Sequence, residues 1–244
     1  MNGSDPFFQR TELLLGRRAC TALARTSVII FGTGGVGGWC AEALVRTGIG
    51  RLTLVDPDRV AASNINRQLP ATARTIGESK VDVLKRRFQD IHPQAELTAL
   101  PVRYTADTAD TFALDTYDYV IDAIDSLADK AHLIRHALSF PNLTLFSSMG
   151  AARRRDPFRI RHSEFWRVSG DGLARALRQR FRASGQFPPR KFTCVWSDEP
   201  PKTDATCPTS RAGGSVVHVT AMFGLALAGL VTDHVCARAD ALNP

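Results

Sequence analysis

Residues Ser27 to Gly37 read SVIIFGTGGVG. An apolar run of buried-strand length, SVIIF, leads directly into Gly32-Thr33-Gly34-Gly35-Val36-Gly37, and an apolar-periodic helix is expected from about Val36 to Thr47. A G-x-G-x-x-G turn between a strand and a helix constrains the fold more than any other stretch, because it belongs to a βαβ unit that binds a nucleotide. Its glycines let the backbone approach a phosphate, and the helix N-terminus offers free N–H groups and a partial positive charge. Asp56 closes the next strand, about 20 residues on, where an acid holds a ribose hydroxyl. The plain alternative is a set of glycines that only tightens a turn. The fingerprint by itself leaves the nucleotide open, with NAD or FAD as the default.

The pattern continues past the turn. Leu52–Val55, Leu97–Arg103, Tyr119–Ile124 and Leu143–Ser148 read as strands, with helices over Glu78–Ile91 and 127–139 and a leading helix over 5–25. This alternation predicts an α/β, Rossmann-like, doubly wound and mostly parallel sheet. After Gly150 the pattern changes to a mixed extension. Strands at Phe158–His162 and Phe192–Ser197 flank an arginine-rich helix, and a Pro-rich stretch from Glu199 to Pro208 leads to an apolar C-terminal helix. One domain over 1–244 is expected, with a nucleotide-binding part at 1–150 and a substrate-facing and dimerisation part at 151–244. The sixteen residues Val216–Val231 fall short of the ~20 that a membrane span needs. They are read as a buried or subunit-interface helix capped by Ser215, with no membrane contact.

The side chains after the turn favour ATP over NAD. The run Asp56-Pro57-Asp58-Arg59-Val60-Ala61-Ala62-Ser63-Asn64-Ile65-Asn66-Arg67-Gln68 is followed by Lys80. A triphosphate that must release pyrophosphate needs side-chain cations and a metal, which a dinucleotide does not. Arg67 and Lys80 supply cations in this reading. Asp125, just past the strand YVIDAI, stands where sheet ligands bind and suits Mg²⁺. Singly, each has a plainer role: a surface pair, a helix-start cation, an N-cap. Their joint order carries the inference.

The chain has 31 basic and 24 acidic residues, a formal charge of +7. Residues 151–191 hold twelve Arg/Lys against three acids, a net of +9, so all the excess lies there. Leu173, Leu177 and Phe181 mark an apolar helix face, with Arg175, Arg178 and Arg182 on another. These three and Arg153, Arg154 and Arg155 are candidate contacts to a phosphate backbone, against the reading of a solvated helix face. Five cysteines form no CxxC pair. That argues against a disulfide framework and a Cys-pair zinc site and points to a reducing compartment, the cytoplasm. The N-terminal stretch MNGSDPFFQRTELLLG has no signal-peptide run. Cys194 is either a nucleophile or a small hydrophobe in an apolar strand. The six histidines show no metal spacing.

GxGGVG, then D-x-D-x-V-x-x-x-N-x-x-R-Q, G-x-x-K and D-A-x-D-S together resemble the ubiquitin-activating-enzyme-like adenylyltransferases (the ThiF/MoeB/HesA family) over residues 7–150. The resemblance implies ATP·Mg²⁺ binding. Gly32, Gly34, Gly35 and Gly37 form the phosphate turn, Asp56 lies at the ribose, Asn64, Arg67 and Lys80 lie at the phosphates, and Asp58 and Gln68 also bind the nucleotide. Asp125 holds the metal, Ser126 lies beside the nucleotide, and Arg10 reaches in from a partner subunit. Arg67, Lys80 and Asp125 are the implied catalytic set. RTELLLG, EALVRTGIGRLTLVD, SNINRQL, SSMGAARRRDPFRI and CVWSDEPP are similar to the family's tRNA threonylcarbamoyladenosine dehydratases. That similarity implies a tRNA carrying this nucleoside, a homodimer, a candidate sulfur-transfer partner and no zinc. Competing expectations are an adenylyltransferase for the tail of a ubiquitin-like or sulfur-carrier protein, an NAD-dependent oxidoreductase, and a non-enzymatic nucleotide sensor.

Overall fold

The structure is a computed structural model that describes residues 6–202 and 213–241. Its elements in chain order are α1 (Gln9–Arg25), β1 (Ser27–Phe31), α2 (Gly37–Thr47), β2 (Arg51–Val55), α3 (Lys80–Ile91), β3 (Glu96–Leu100), β4 (Tyr119–Asp122), α4 (Leu127–Ser139), β5 (Thr144–Ser148), β6 (Ile160–Glu164), α5 (Gly172–Ser184), β7 (Thr193–Ser197) and α6 (Val217–Ala241). The strands form one seven-stranded sheet in the order β3-β2-β1-β4-β5-β7-β6. All neighbours are parallel except β6, which runs antiparallel to β7 at the edge. This is a Rossmann-like α/β fold. The strands at 160–164 and 193–197 join the same sheet as β1–β5.

SVIIF is buried along its whole length, as a central parallel strand covered on both faces must be. Its side chains alternate between two cores. Val28 and Ile30 join Leu44, Leu84, Phe223 and Leu227 on one face, and Ile29 and Phe31 join Phe112, Leu133, Leu177 and Phe181 on the other. The chain order reverses at β1, which lies between β2 and β4. The crevice at the carboxyl ends of β1 and β4 is therefore the topological switch point where such sheets bind ligands.

α6 buttresses that crevice. Val219, Phe223, Leu227, Val231 and Val235 recur every fourth residue along its buried face. Gly224 lets α2 approach: a Cβ there would lie 2.4 Å from the carbonyl oxygen of Val36. α6 has 25 residues, not sixteen, and passes the length and apolarity of a membrane-crossing helix. The expected length argument against a span therefore fails, and its face packed on the core is the relevant fact. Ser215 is not the cap, because the helix starts two residues later and the Ser215 carbonyl accepts from Asn66 Nδ2 at 2.9 Å.

Other boundaries moved for local reasons. β3 ends at Leu100, before Pro101, and the expected strand to Arg103 stops there. Pro157 nucleates a 3-10 turn, Pro157–Arg159, under an Asp156 cap, so β6 begins at Ile160 and Phe158 leaves the sheet. Most of the Pro-rich stretch, with Cys207, lies outside the described residues.

Candidate functional site

The glycine turn closes on β4. Gly32 has φ +88°, and a Cβ on it would sit 2.6 Å from the Ala123 carbonyl oxygen. At Gly37 the same atom would lie 1.8 Å from the Gly32 carbonyl oxygen, so only glycine fits. Gly32, Gly34 and Gly35 line a pocket of about 560 Å³ at the switch point, whereas Gly37 packs behind it. That volume suits a small-molecule ligand.

Asp56 is buried at the end of β2 and ties the turn to the next loop. Its Oδ2 accepts from Thr33 N at 2.7 Å and from Thr33 Oγ1 at 3.1 Å, and its Oδ1 accepts from Asp58 N at 2.9 Å. Lys80 opens α3 and is 4% exposed, with Nζ 2.8 Å from Asp58 Oδ2. Both residues line the pocket. Arg67 lines it too, its Nη1 donating to Ser63 O and Asn66 Oδ1 at 2.9 Å each. Beside it, Gln68 Oε1 is buried with no hydrogen-bond partner, an acceptor that a ligand donor or water would satisfy. Asn64 does not line the pocket. Its Oδ1 accepts from Ala61 N at 3.0 Å and its carbonyl accepts from Arg67 N and Gln68 N, so it shapes the turn that presents those two side chains.

Asp125 and Ser126 line the opposite wall, with Asp125 exposed. A buried cluster that the sequence reading missed holds their loop in place. Lys130 and Asp122 are both fully buried and meet at 2.8 Å. Lys130 Nζ also donates to the Ile124 carbonyl at 3.1 Å, and Ser147 Oγ donates to Asp122 Oδ2 at 2.7 Å. The available signal was an aspartate inside the apolar strand YVID, since a buried acid needs a cation. Tyr104 was also missed. It lines the pocket, its ring packs on Phe31 and Phe112, and its hydroxyl lies 3.0 Å from Nδ1 of both His132 and His136. Burial raises its pKa, so the phenol stays neutral. Burial also lowers the pKa of His136, with His132 adding to the effect.

From these walls the pocket extends along Ser148, Met149, Gly150 and Ala152 to Leu173 and Gly213 in the second half of the chain. There the basic segment is not the open cationic surface expected. Arg154 is 3% exposed and sits 3.5 Å from the buried Asp171, so it cannot reach an RNA backbone. Arg178 turns back to donate to the Phe165 and Val168 carbonyls and lies over the Phe165 ring. Arg190 donates to the Leu138 carbonyl near the end of α4 and to the Pro141 and Leu143 carbonyls beyond it, and Arg159 and Arg161 share Asp198. Arg153, Arg155, Arg175 and Arg182 stay exposed. Cys194 and Cys40 are buried, and burial pushes both thiols well above their ordinary pKa. Neither is a nucleophile at neutral pH. Arg10 is exposed on α1 and does not line this pocket.

A Rossmann-like sheet with this cationic, glycine-walled pocket defines a nucleotide-binding protein. Residues 8–240 match the ThiF family, and the chain belongs to that family. It is 40% identical over 194 residues to a tRNA threonylcarbamoyladenosine dehydratase of Bacillus subtilis, covering 80% of this chain and 75% of the relative. The enzyme of the same name from Escherichia coli is 33% identical over 97% of both chains. The crystal structure of E. coli TcdA in complex with ATP superposes with a TM-score of 0.87 at 32% identity, covering 97% of this chain and 96% of that one.

Proposed function

We propose that the protein uses ATP to remove one water from threonylcarbamoyladenosine in tRNA, through an acyl adenylate. The observation that carries this reading is the pocket itself. The glycine turn, Arg67, Lys80 and several carboxylates line it, and the same cavity extends to Gly150 and Leu173. The names and coverage of the E. coli and B. subtilis relatives support the substrate.

In this mechanism the threonyl carboxylate attacks the α-phosphate of ATP. An O–P bond forms, pyrophosphate leaves, and the carboxylate becomes a mixed anhydride with AMP. The urea-like group of the same side chain then closes on the activated carbonyl, AMP departs with one carboxylate oxygen, and one proton is released. No protein nucleophile is needed, because the attacking group is tethered to its target. Arg67 and Lys80 stabilise the negative charge that builds on the phosphates. Binding of the phosphates pulls Lys80 from Asp58, whose carboxylate is solvated and is left in water at little cost. Gly34 and Gly35 border the phosphates, Asp56 and Asp58 the ribose, and Gln68 and Ser126 the rest of the nucleotide. Asp125 is the residue that would hold Mg²⁺, an ion that takes one or two carboxylates together with phosphate oxygens and supplies further charge neutralisation. An exposed carboxylate at the pocket wall fits such a phosphate-borne ion.

The working unit in this reading is a cytoplasmic homodimer away from membranes. Leu13 and Leu14 on α1 and Met222 and Leu225 on α6 are exposed, and α1 also carries Arg10, the residue assigned to the partner's site. A sulfur-transfer protein is a candidate partner that no step above requires. Exposed Arg153, Arg155, Arg175 and Arg182 supply phosphate contacts, and tRNA affinity then falls steeply with salt.

The test uses purified protein, ATP, Mg²⁺ and tRNA carrying threonylcarbamoyladenosine. Digestion and mass spectrometry are expected to find the nucleoside lighter by one water only where ATP was present. Unchanged nucleoside, together with ATP–pyrophosphate exchange stimulated by a small carrier protein, would assign the pocket to a protein tail instead.

A further inference from the structure

Phe158 is the centre of the 3-10 turn Pro157–Arg159 and is 91% exposed, more than any other large apolar side chain among the described residues. The turn that holds it is anchored on both sides. Asp156 Oδ1 accepts from Phe158 N at 2.9 Å. The buried Glu199 accepts from the backbone N–H groups of Arg155 and Asp156 at 2.8 and 3.0 Å through one oxygen, Oε2. Arg159 Nε donates to Asp198 Oδ1 at 2.6 Å, and the His218 ring meets the Arg155 carbonyl at 3.0 Å. A phenyl ring is thus held in water by a fixed turn rather than left on a loose loop.

Its surroundings select the partner. Arg155 and Lys202 are exposed around the turn; Arg159 and Arg161 share Asp198, and Asp156 and Glu199 accept from backbone N–H groups. An apolar ring beside the cations of Arg155 and Lys202 matches an unpaired nucleotide, whose base takes the ring and whose phosphates take those two charges. The turn also lies close to the chemistry. Ala152 is on the pocket wall, six residues before Phe158, so the two are within about 20 Å, the full reach of six extended residues. A modified base that enters a pocket must leave its stack, which frees the π-face of its neighbours.

We propose that Phe158 is a stacking platform for an unpaired base of the tRNA near the modified nucleotide, so that tRNA is held by an aromatic–cation pair within about 20 Å of the pocket wall. This rests on the tRNA reading above. The test compares wild type with Phe158→Ala, Phe158→Leu and Phe158→Trp, all at an exposed position that leaves the core intact. Phe158→Ala is expected to raise KM for modified tRNA about tenfold. The kcat, the KM for ATP and the turnover of free threonylcarbamoyladenosine nucleoside should stay unchanged. Phe158→Trp should restore tRNA KM and Phe158→Leu should not, because stacking needs a π-face.

Equilibrium binding of the same tRNA, read by fluorescence anisotropy at fixed salt, should follow the same order. Unchanged tRNA affinity in Phe158→Ala would overturn the proposal. Full rescue by Phe158→Leu would overturn it too and assign the ring to an apolar protein contact. Wild type that binds tRNA through Phe158 but makes no dehydrated product would keep this inference and refute the catalytic reading.

Discussion

Beside the closed Lys130–Asp122 pair, the nucleotide half buries Lys80 against an aspartate, the second half buries Arg154 against another, and these last two pairs do opposite work. In the nucleotide half, the Lys80 side chain is 6% exposed but its partner Asp58 is 59% exposed. In the second half, Arg154 and Asp171 are 2% and 1% exposed. Lys80 therefore faces a cavity through a carboxylate that water can take over, and its charge is available to a ligand. Arg154 and Asp171 depend on each other. Asp171 also caps α5 through Ala174 N at 2.8 Å and holds Gly150 N at 3.1 Å, so this pair joins the far pocket wall to the helix. Burial alone does not separate a ligand-binding cation from a structural one; the exposure of the partner does.

The largest expected effect comes from removing the open charges. Lys80→Ala or Asp125→Ala should lower ATP-dependent turnover by roughly 10²–10³-fold, measured as product per time, with the midpoint of thermal unfolding nearly unmoved. Retention of full activity by either variant would break the assignment of the pocket. Next comes the closed pair. Arg154→Ala leaves a buried carboxylate unpaired and should cost about 3–5 kcal/mol in urea unfolding. Arg155→Ala, one residue on and exposed, should stay within ~0.5 kcal/mol. Equal stabilities for the two would erase the distinction between a closed pair and an open charge.

A smaller effect is expected inside α5. Arg178→Ala forfeits bonds to two carbonyls and should cost about 1–2 kcal/mol, whereas Arg182→Ala should cost nothing measurable by the same denaturation. The smallest effect concerns pH. Burial depresses the pKa of His136 and of His234, whose Nδ1 lies 2.9 Å from the Tyr119 hydroxyl, below their ordinary 6.5. The unfolded chain then binds protons more readily, so stability should fall as pH drops from 6.5 through the folded values. Thermal melts between pH 7 and 5 would check this; a flat profile would contradict it.

The nucleotide half was legible because its signals are local. SVIIF needs no partner to read as a buried strand, and a glycine that must hold φ +88° at position 32 leaves its mark in the chain. Asp56, Arg67, Lys80 and Asp125 follow the turn in the chain, and all four line the pocket. Lys130 was not legible, because its burial comes from meeting Asp122 across a turn. Tyr104 was hidden for a similar reason, lying in a stretch between β3 and β4 that has no strong period. The arginine run misled for the opposite reason. Linear charge density counts every guanidinium, and five of the twelve cations at 151–191 are committed to Asp171, Asp198 or backbone carbonyls.

The central claim is that the pocket activates a carboxylate at the α-phosphate of ATP. The most direct measurement places ¹⁸O in the threonyl carboxylate of the modified tRNA and analyses the nucleotide products by mass spectrometry after one turnover. Adenylation predicts one ¹⁸O in AMP and none in pyrophosphate. Label in inorganic phosphate with ADP as the co-product, or unlabelled AMP beside dehydrated nucleoside, would contradict it.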